Sequence, residues 1–219
     1  MIPIHDEIKA RRVPYVNYIL IVINVVVFIV EFMSGPRLEA LISEFALVPT
    51  QISAGLDLGD MRSILTSMFL HASSDHLWGN MVSFWAFGPA VEERLGSRKF
   101  LFLYFVTGLL GSLVSVVLFR VFLSTSLHGL GASGAIAGIT GVFMVRCYFK
   151  KLVVPLPLLG LVNVKLRINS LLPLGLFFLM DIRNGLRQLE GSGSVIAYWV
   201  HVGSMAAGMA IAARLKLHG

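Results

Sequence analysis

Three histidines, a serine and an asparagine stand where this chain is otherwise apolar. His71 and His76 are five residues apart in LHASSDHLWGN, with Asn80 four residues beyond His76. On a helix, positions i and i+4 share a face, so His76 and Asn80 would project side by side as a pair of donors. His201 lies in VIAYWVHVGSMAAGMA with no charged residue within ten positions on either side, so its partner must come from another helix. Ser133 lies in GLGASGAIAGITG, where Gly131, Gly134, Gly138 and Gly141 leave one helix face nearly bare. Gly203, Ser204 and Gly208 repeat that small-residue spacing around His201. Two such faces let backbones approach closely. A serine hydroxyl and an imidazole within hydrogen-bond reach form a nucleophile and its base, the chemistry of acyl transfer.

Plainer readings exist for each residue. A glycine-rich span with one serine is more often a packing helix, and a single intramembrane histidine serves a proton relay or a haem as readily as a hydrolase. His71 reads as a cap or brace for its loop. His76 and Asn80 alone would make a polar helix contact. Chemistry is favoured by conjunction: one serine in a close-packing stripe, one unpartnered histidine and a separate donor pair.

The elements that must position these groups follow from composition. Of 219 residues, 56% are hydrophobic and 14% charged, and the mean hydropathy is +0.81. A water-soluble domain carries about a quarter charged residues, so the chain reads as a membrane protein. The lone Cys147 excludes a disulfide framework and a cysteine-only metal cage. Uncharged runs cover 13–30, 76–91, 100–119, 121–145, 152–164, 168–180 and 191–213. A bilayer core of about 30 Å takes about 20 helical residues. The expectation is a single all-α domain over 1–219, a polytopic bundle of six transmembrane helices near 13–34, 68–91, 99–120, 131–148, 168–182 and 194–213. The last boundary of the fifth places Asp181 near the surface. The run 152–164, with Pro155 and Pro157 between basic flanks, reads as a loop or short hairpin at the interface.

Basic residues orient the bundle, because cytoplasmic loops keep Lys and Arg. With the N-terminus inside, Lys9, Arg11, Arg12, Arg94, Arg98, Lys99, Arg146, Lys150, Lys151, Lys165, Arg167, Arg214 and Lys216 fall on one side, 13 of the 18. Arg37, Arg62, Arg120, Arg183 and Arg187 face outward, which places the loops near 35–67, 121–130 and 183–193 outside. The charge of +6 and pI near 9.8 are thereby explained without nucleic acid. No cleavable signal peptide is apparent, and no soluble appendage is expected at either end.

At these residues the sequence resembles the rhomboid family of intramembrane serine proteases over nearly its whole length. GASGA at 131–135 is similar to the family's GxSG nucleophile motif, and His201 with Gly203, Ser204 and Gly208 to its last-helix HxxGxxxG motif. HLWGN at 76–80 resembles the HxxxN element, and VEERLG at 91–96 the ExR segment. The resemblance implies Ser133 as nucleophile and His201 as general base, a dyad lacking the usual carboxylate, with the ring held by helix packing. It implies an oxyanion hole of His76, Asn80 and the Ser133 backbone N–H. Gly131, Gly134, Gly138, Gly203 and Gly208 would serve packing, and His71, Glu92 and Arg94 structure, the last two as a cytoplasmic pair away from the chemistry. There are departures. Ser204 stands where many members carry Gly, Ala137 where some place an aromatic that stacks on the histidine, and Met61-Arg62 where some show Trp-Arg.

The resemblance further implies transmembrane protein substrates, a lipid bilayer as surroundings, no metal or other cofactor, and no nucleic acid. The bare six-span form resembles prokaryotic members of the plasma membrane. Two rivals stand beside hydrolysis. One is a catalytically silent rhomboid-like protein that binds transmembrane clients, and the other a small transporter or proton channel, for which no second charged site or inverted repeat is visible. Substrate identity and oligomeric state are not legible.

Overall fold

Helix α1 (Tyr15–Met33) forms from an apolar run free of Gly and Pro and begins directly after Pro14, which cannot cap it with a side chain. In the computed structural model the described residues are 13–53, 55–122, 129–147, 151–158, 162–190 and 197–215, with only the backbone described for 151–158 and 162–167. Lys9, Arg11, Arg12, Lys150 and Lys216, which entered the orientation argument, lie outside them, as do both chain ends.

A short 3-10 turn leads into α2 (Leu38–Phe45), and α3 (Leu58–Ser67) follows. Asp57 caps α3 in a reciprocal box with Asp60, whose carboxylate also takes the Ser53 hydroxyl. Ser73 opens α4 (Ser74–Leu95) by accepting from the His76 backbone N–H at 3.2 Å. Then come α5 (Ser97–Phe122), α6 (Ser133–Arg146), the strands β1 (Lys151–Leu158) and β2 (Val162–Asn169), α7 (Leu171–Leu189) and α8 (Tyr198–Arg214). The fold is helical, as expected. Segment 152–164 falls largely within the antiparallel β1–β2 hairpin, in register from Lys151↔Asn169 to Leu158↔Val162.

Six helices, α1 and α4 to α8, fall on the six expected segments. Among the described residues, α1 and α5 are long and apolar enough to cross a membrane, and α6 is a shorter apolar helix. Two boundaries differ in substance. Helix α4 starts at Ser74 rather than near 68, and the fifth segment, expected over 168–182, does not end there; α7 continues to Leu189 and carries Asp181 near its centre, buried. A carboxylate inside a helix bundle is costly unless partnered, and a partner is present.

Helix α1 turns apolar side chains outward and polar ones inward. Ile19, Val22, Val26, Val30 and Phe32 of α1 are exposed, while Asn17, Asn24 and Glu31 on the same helix are buried. Glu92, in the last turn of α4, accepts from the backbone N–H groups of Val16 at 3.1 Å and Asn17 at 2.8 Å and from Ser97 Oγ at 2.6 Å. It thus supplies from 75 residues away the cap that Pro14 cannot. Arg94 lies exposed two residues further on.

Helices α5, α6 and α8 interlock through missing side chains. A Cβ on Gly208 would stand 2.0 Å from the Gly138 carbonyl oxygen, one on Gly141 2.3 Å from that of Met205, and one on Gly111 2.4 Å from that of Val200. Backbone meets backbone along this seam. Ser133 and His201 sit on its two sides.

Candidate active site

Ser133 is the first residue of α6, and the segment before it is pinned from outside the bundle. Leu47 and Gly129 exchange backbone hydrogen bonds, and the Gly131 N–H donates to the Ser67 carbonyl at 2.8 Å. Gly131 has φ +126°, a conformation that side-chain-bearing residues rarely adopt, and a Cβ there would meet His76 Cε1 at 2.7 Å and stand 3.5 Å from Ser133 Oγ. The bare Gly131 therefore separates the His76 ring from the Ser133 hydroxyl by little more than its own backbone. As the helix start, Ser133 also brings backbone N–H groups that lack intrahelical partners.

His201 Nε2 lies 2.8 Å from Ser133 Oγ. The expectation that packing alone holds this ring, with no carboxylate, is corrected: Asp181 Oδ2 of α7 lies 3.2 Å from His201 Nδ1. Ala137 contributes no ring, but α7 brings one: the Phe177 ring is stacked against the His201 ring with centroids 6.5 Å apart. One turn beyond Asp181, Gly185 accepts from Trp199 Nε1 at 3.1 Å. Phe177, Asp181 and Gly185 are i, i+4 and i+8 on α7, so a single face grips α8 at three levels.

His71 and Asn80 form a second polar group. The His71 backbone N–H donates to the Glu31 carboxylate at 3.1 and 3.2 Å, and its ring reaches the Phe69 carbonyl through Nδ1 at 3.1 Å. With Nδ1 donating, Nε2 accepts from Asn80 Nδ2 at 3.0 Å. His71 thus braces the loop and fixes which way the Asn80 amide points. The half-buried His76 ring stands edge-on to that of His71, centroids 5.3 Å apart.

Of the small-residue positions, Gly134 faces Val200 of α8, Gly138 receives Thr107 of α5, and Gly203 meets Gly111 and Val114. Ser204 is fully buried against Gly111, and its hydroxyl has no hydrogen-bond partner among the described residues. Beside Ser133 is a cavity of ≈ 20 Å³, bordered by Met68, Gly108, Gly131 and Val200, with room for about one water. Arg62, next to Met61, pairs with Glu44 at 3.3 Å and lies over the Phe45 ring, tying α3 to α2.

Sequence reasoning missed Asp181, Phe177 and Glu31. The available signal was the cost of a carboxylate in an apolar run, which demands a partner and so pointed Asp181 and Glu31 toward histidines.

A family description of the rhomboid domain matches residues 58–217. Rhomboid protease GluP of Bacillus subtilis is 30% identical over 133 residues, 60% of this chain and 24% of GluP. Rhomboid protein 1, mitochondrial, of Saccharomyces cerevisiae is 38% identical over 82 residues, 37% of this chain and 24% of that protein. Rhomboid protease AarA of Providencia stuartii is 27% identical over 148 residues, 63% of this chain and 52% of AarA. The chain thus spans about a quarter to a half of these relatives' lengths.

Proposed function

The chain belongs to the rhomboid family, and from that premise we propose that it is an intramembrane serine endopeptidase cleaving peptide bonds in or beside the transmembrane segments of other membrane proteins. The observation that carries this reading is the 2.8 Å approach of His201 Nε2 to Ser133 Oγ between α8 and the start of α6. Ser133 Oγ attacks the scissile carbonyl carbon while its proton passes to His201 Nε2. The carbonyl oxygen becomes an oxyanion, for which the His76 and Asn80 side chains and the Ser133 N–H are the proposed donors. His201 then protonates the leaving amine, and the C–N bond breaks. Water, deprotonated by the same nitrogen, hydrolyses the acyl ester and restores Ser133.

Helix length supports a depth for this chemistry below the outer surface. Helix α6 has 14 residues and spans about 21 Å, less than the bilayer core of about 30 Å. If α6 rises from the cytoplasmic surface, Ser133 lies below the outer one, and water and substrate descend to it. Six spans, α1 and α4 to α8, with both termini cytoplasmic in a prokaryotic plasma membrane, complete the proposal. A substrate helix must unwind to expose its carbonyl, so small or helix-breaking residues near the external end of a span are favoured. Lateral access past α7 fits its packing, which is chiefly on α8.

The test is fluorophosphonate labelling of the detergent-purified chain together with cleavage of a model transmembrane substrate. Wild type is expected to label and cleave, and Ser133→Ala and His201→Ala to do neither. Cleavage retained by Ser133→Ala would end this reading. A folded, unlabelled wild type that still holds transmembrane segments would instead favour client binding.

A further inference from the structure

Building on the proposed protease reading, we infer that Asp181 is a positioning residue that completes a Ser133–His201–Asp181 triad, with α7 supplying the group that orients the base. Three observations carry this. Asp181 is buried to 4% exposure on α7, a placement that demands a partner, and its Oδ2 is 3.2 Å from His201 Nδ1. The opposite ring nitrogen is the one 2.8 Å from Ser133 Oγ, so the three groups are strung through both nitrogens of one ring. The stacked Phe177 ring, one turn before Asp181, restrains the plane of the imidazole.

The chemistry follows from donor and acceptor capacity. A carboxylate only accepts, so Nδ1 must carry the proton, and the neutral ring then presents a bare Nε2 to the Ser133 hydroxyl. This is the tautomer that a general base needs. When Ser133 transfers its proton to Nε2 as the Oγ–C bond forms, the ring becomes an imidazolium, and Asp181 faces the new positive charge across the bonded Nδ1–H. No proton need pass to Asp181. When His201 later protonates the leaving amine, the ring returns to the Nδ1–H form, still held.

The surroundings leave Asp181 as the sole anion facing the ring among the described residues. Helix α4 contributes His76, α6 contributes Ser133, and α5 carries no charged residue or histidine between Lys99 and Arg120. On α7 the remaining charges, Arg183 and Arg187, are exposed.

The experiment is a pH profile of kcat/KM for cleavage of a model transmembrane peptide by the full chain in proteoliposomes, comparing wild type, Ser133→Ala, Asp181→Asn and Asp181→Glu. In Asp181→Asn, kcat should fall on the order of 100-fold with KM little changed. Asp181→Glu should recover activity to within about 10-fold of wild type. Wild-type rate and profile in a folded Asp181→Asn, with Ser133→Ala inactive, would overturn the triad and leave the protease reading intact. Activity in Ser133→Ala would overturn the protease reading itself. Should Asp181→Asn not fold, nitrogen-15 spectra of labelled histidines in the wild type decide: an Nδ1–H ring at His201 supports the triad, and an Nε2–H ring overturns it.

Discussion

Asn80 shows how much a single side chain depends on its neighbours. Its amide nitrogen is aimed by His71 Nε2, whose acceptor state is fixed by the Phe69 carbonyl on the other side of the ring. If Asn80 is an oxyanion donor, Asn80→Ala should lower kcat on the order of 100-fold with KM nearly constant, measured by steady-state cleavage. Ser204 is the opposite case. Its hydroxyl is buried and unbonded among the described residues, so Ser204→Ala keeps the packing and removes an unmet polar group. A gain of about 1 kcal/mol is expected, seen as a raised Tm in detergent. An unchanged or lowered Tm would mean that the hydroxyl has a partner after all.

At the scale of elements, the seam between α6 and α8 is set by backbone contact. Gly208→Ala would drive a Cβ to within 2.0 Å of the Gly138 carbonyl oxygen, so one helix must move. The cost is about 3 kcal/mol or more, at the upper end of overpacking, and the fraction that still folds should be inactive because Ser133 and His201 ride on the displaced helices. Gly175→Ala, with nothing within 4 Å, is the control expected to keep or slightly raise stability and to leave cleavage unchanged. The α3 cap offers a pH handle. The Ser53 hydroxyl above all, and then the backbone N–H groups of Asp57 and Ser53, hold the Asp60 carboxyl below its ordinary 3.8. A group depressed by folding stabilises above its ordinary value, and that contribution fades as pH falls through the lowered one. Amide exchange at 57–61, corrected for intrinsic rates, should therefore rise below about pH 4 relative to that of α4.

The elements were legible in the sequence to the extent that they were apolar and long, and the candidate site to the extent that it was local. Ser133 announced itself by its glycine neighbours, His76 and Asn80 by their spacing of four, and His201 by its isolation. Asp181 misled because a charged residue after an apolar run reads as the run's end, whereas here the helix continues and a histidine 20 residues on receives the carboxylate. Glu92 was legible as structural, but not as the cap of a helix 75 residues earlier, since nothing in either segment names the other. Pairings across the bundle are fixed by tertiary packing, which periodicity does not encode.

For the whole molecule, the exposed large apolar side chains predict how the surface meets lipid. Trp78 and Trp85 of α4 are exposed, 62% and 44%, and seven residues of helix put Trp85 about 10 Å deeper if α4 runs inward across the bilayer. Trp199 is held against Gly185. In single-tryptophan variants in bilayers, acyl chains brominated near the headgroup should quench Trp78 most, and chains brominated near the midplane Trp85, with Trp199 least affected by either. Equal quenching of Trp78 and Trp85 at every depth would place α4 along the surface and remove the six-span arrangement.

Under the proposed function, the face of α7 that holds His201 would also set a clock. Phe177, Asp181 and Gly185 are spaced along one rigid helix, so an outward swing that admits a substrate past α7 withdraws stacking, carboxylate and tryptophan latch together. While α7 is away, the histidine would be free to take the unproductive tautomer, and catalysis would wait for the helix to return with the visitor still inside. Selection would then act on residence time as well as on fit. Two transmembrane peptides of equal affinity but unequal dwell should be cut at different rates, and a segment that leaves before α7 reseats should escape uncut.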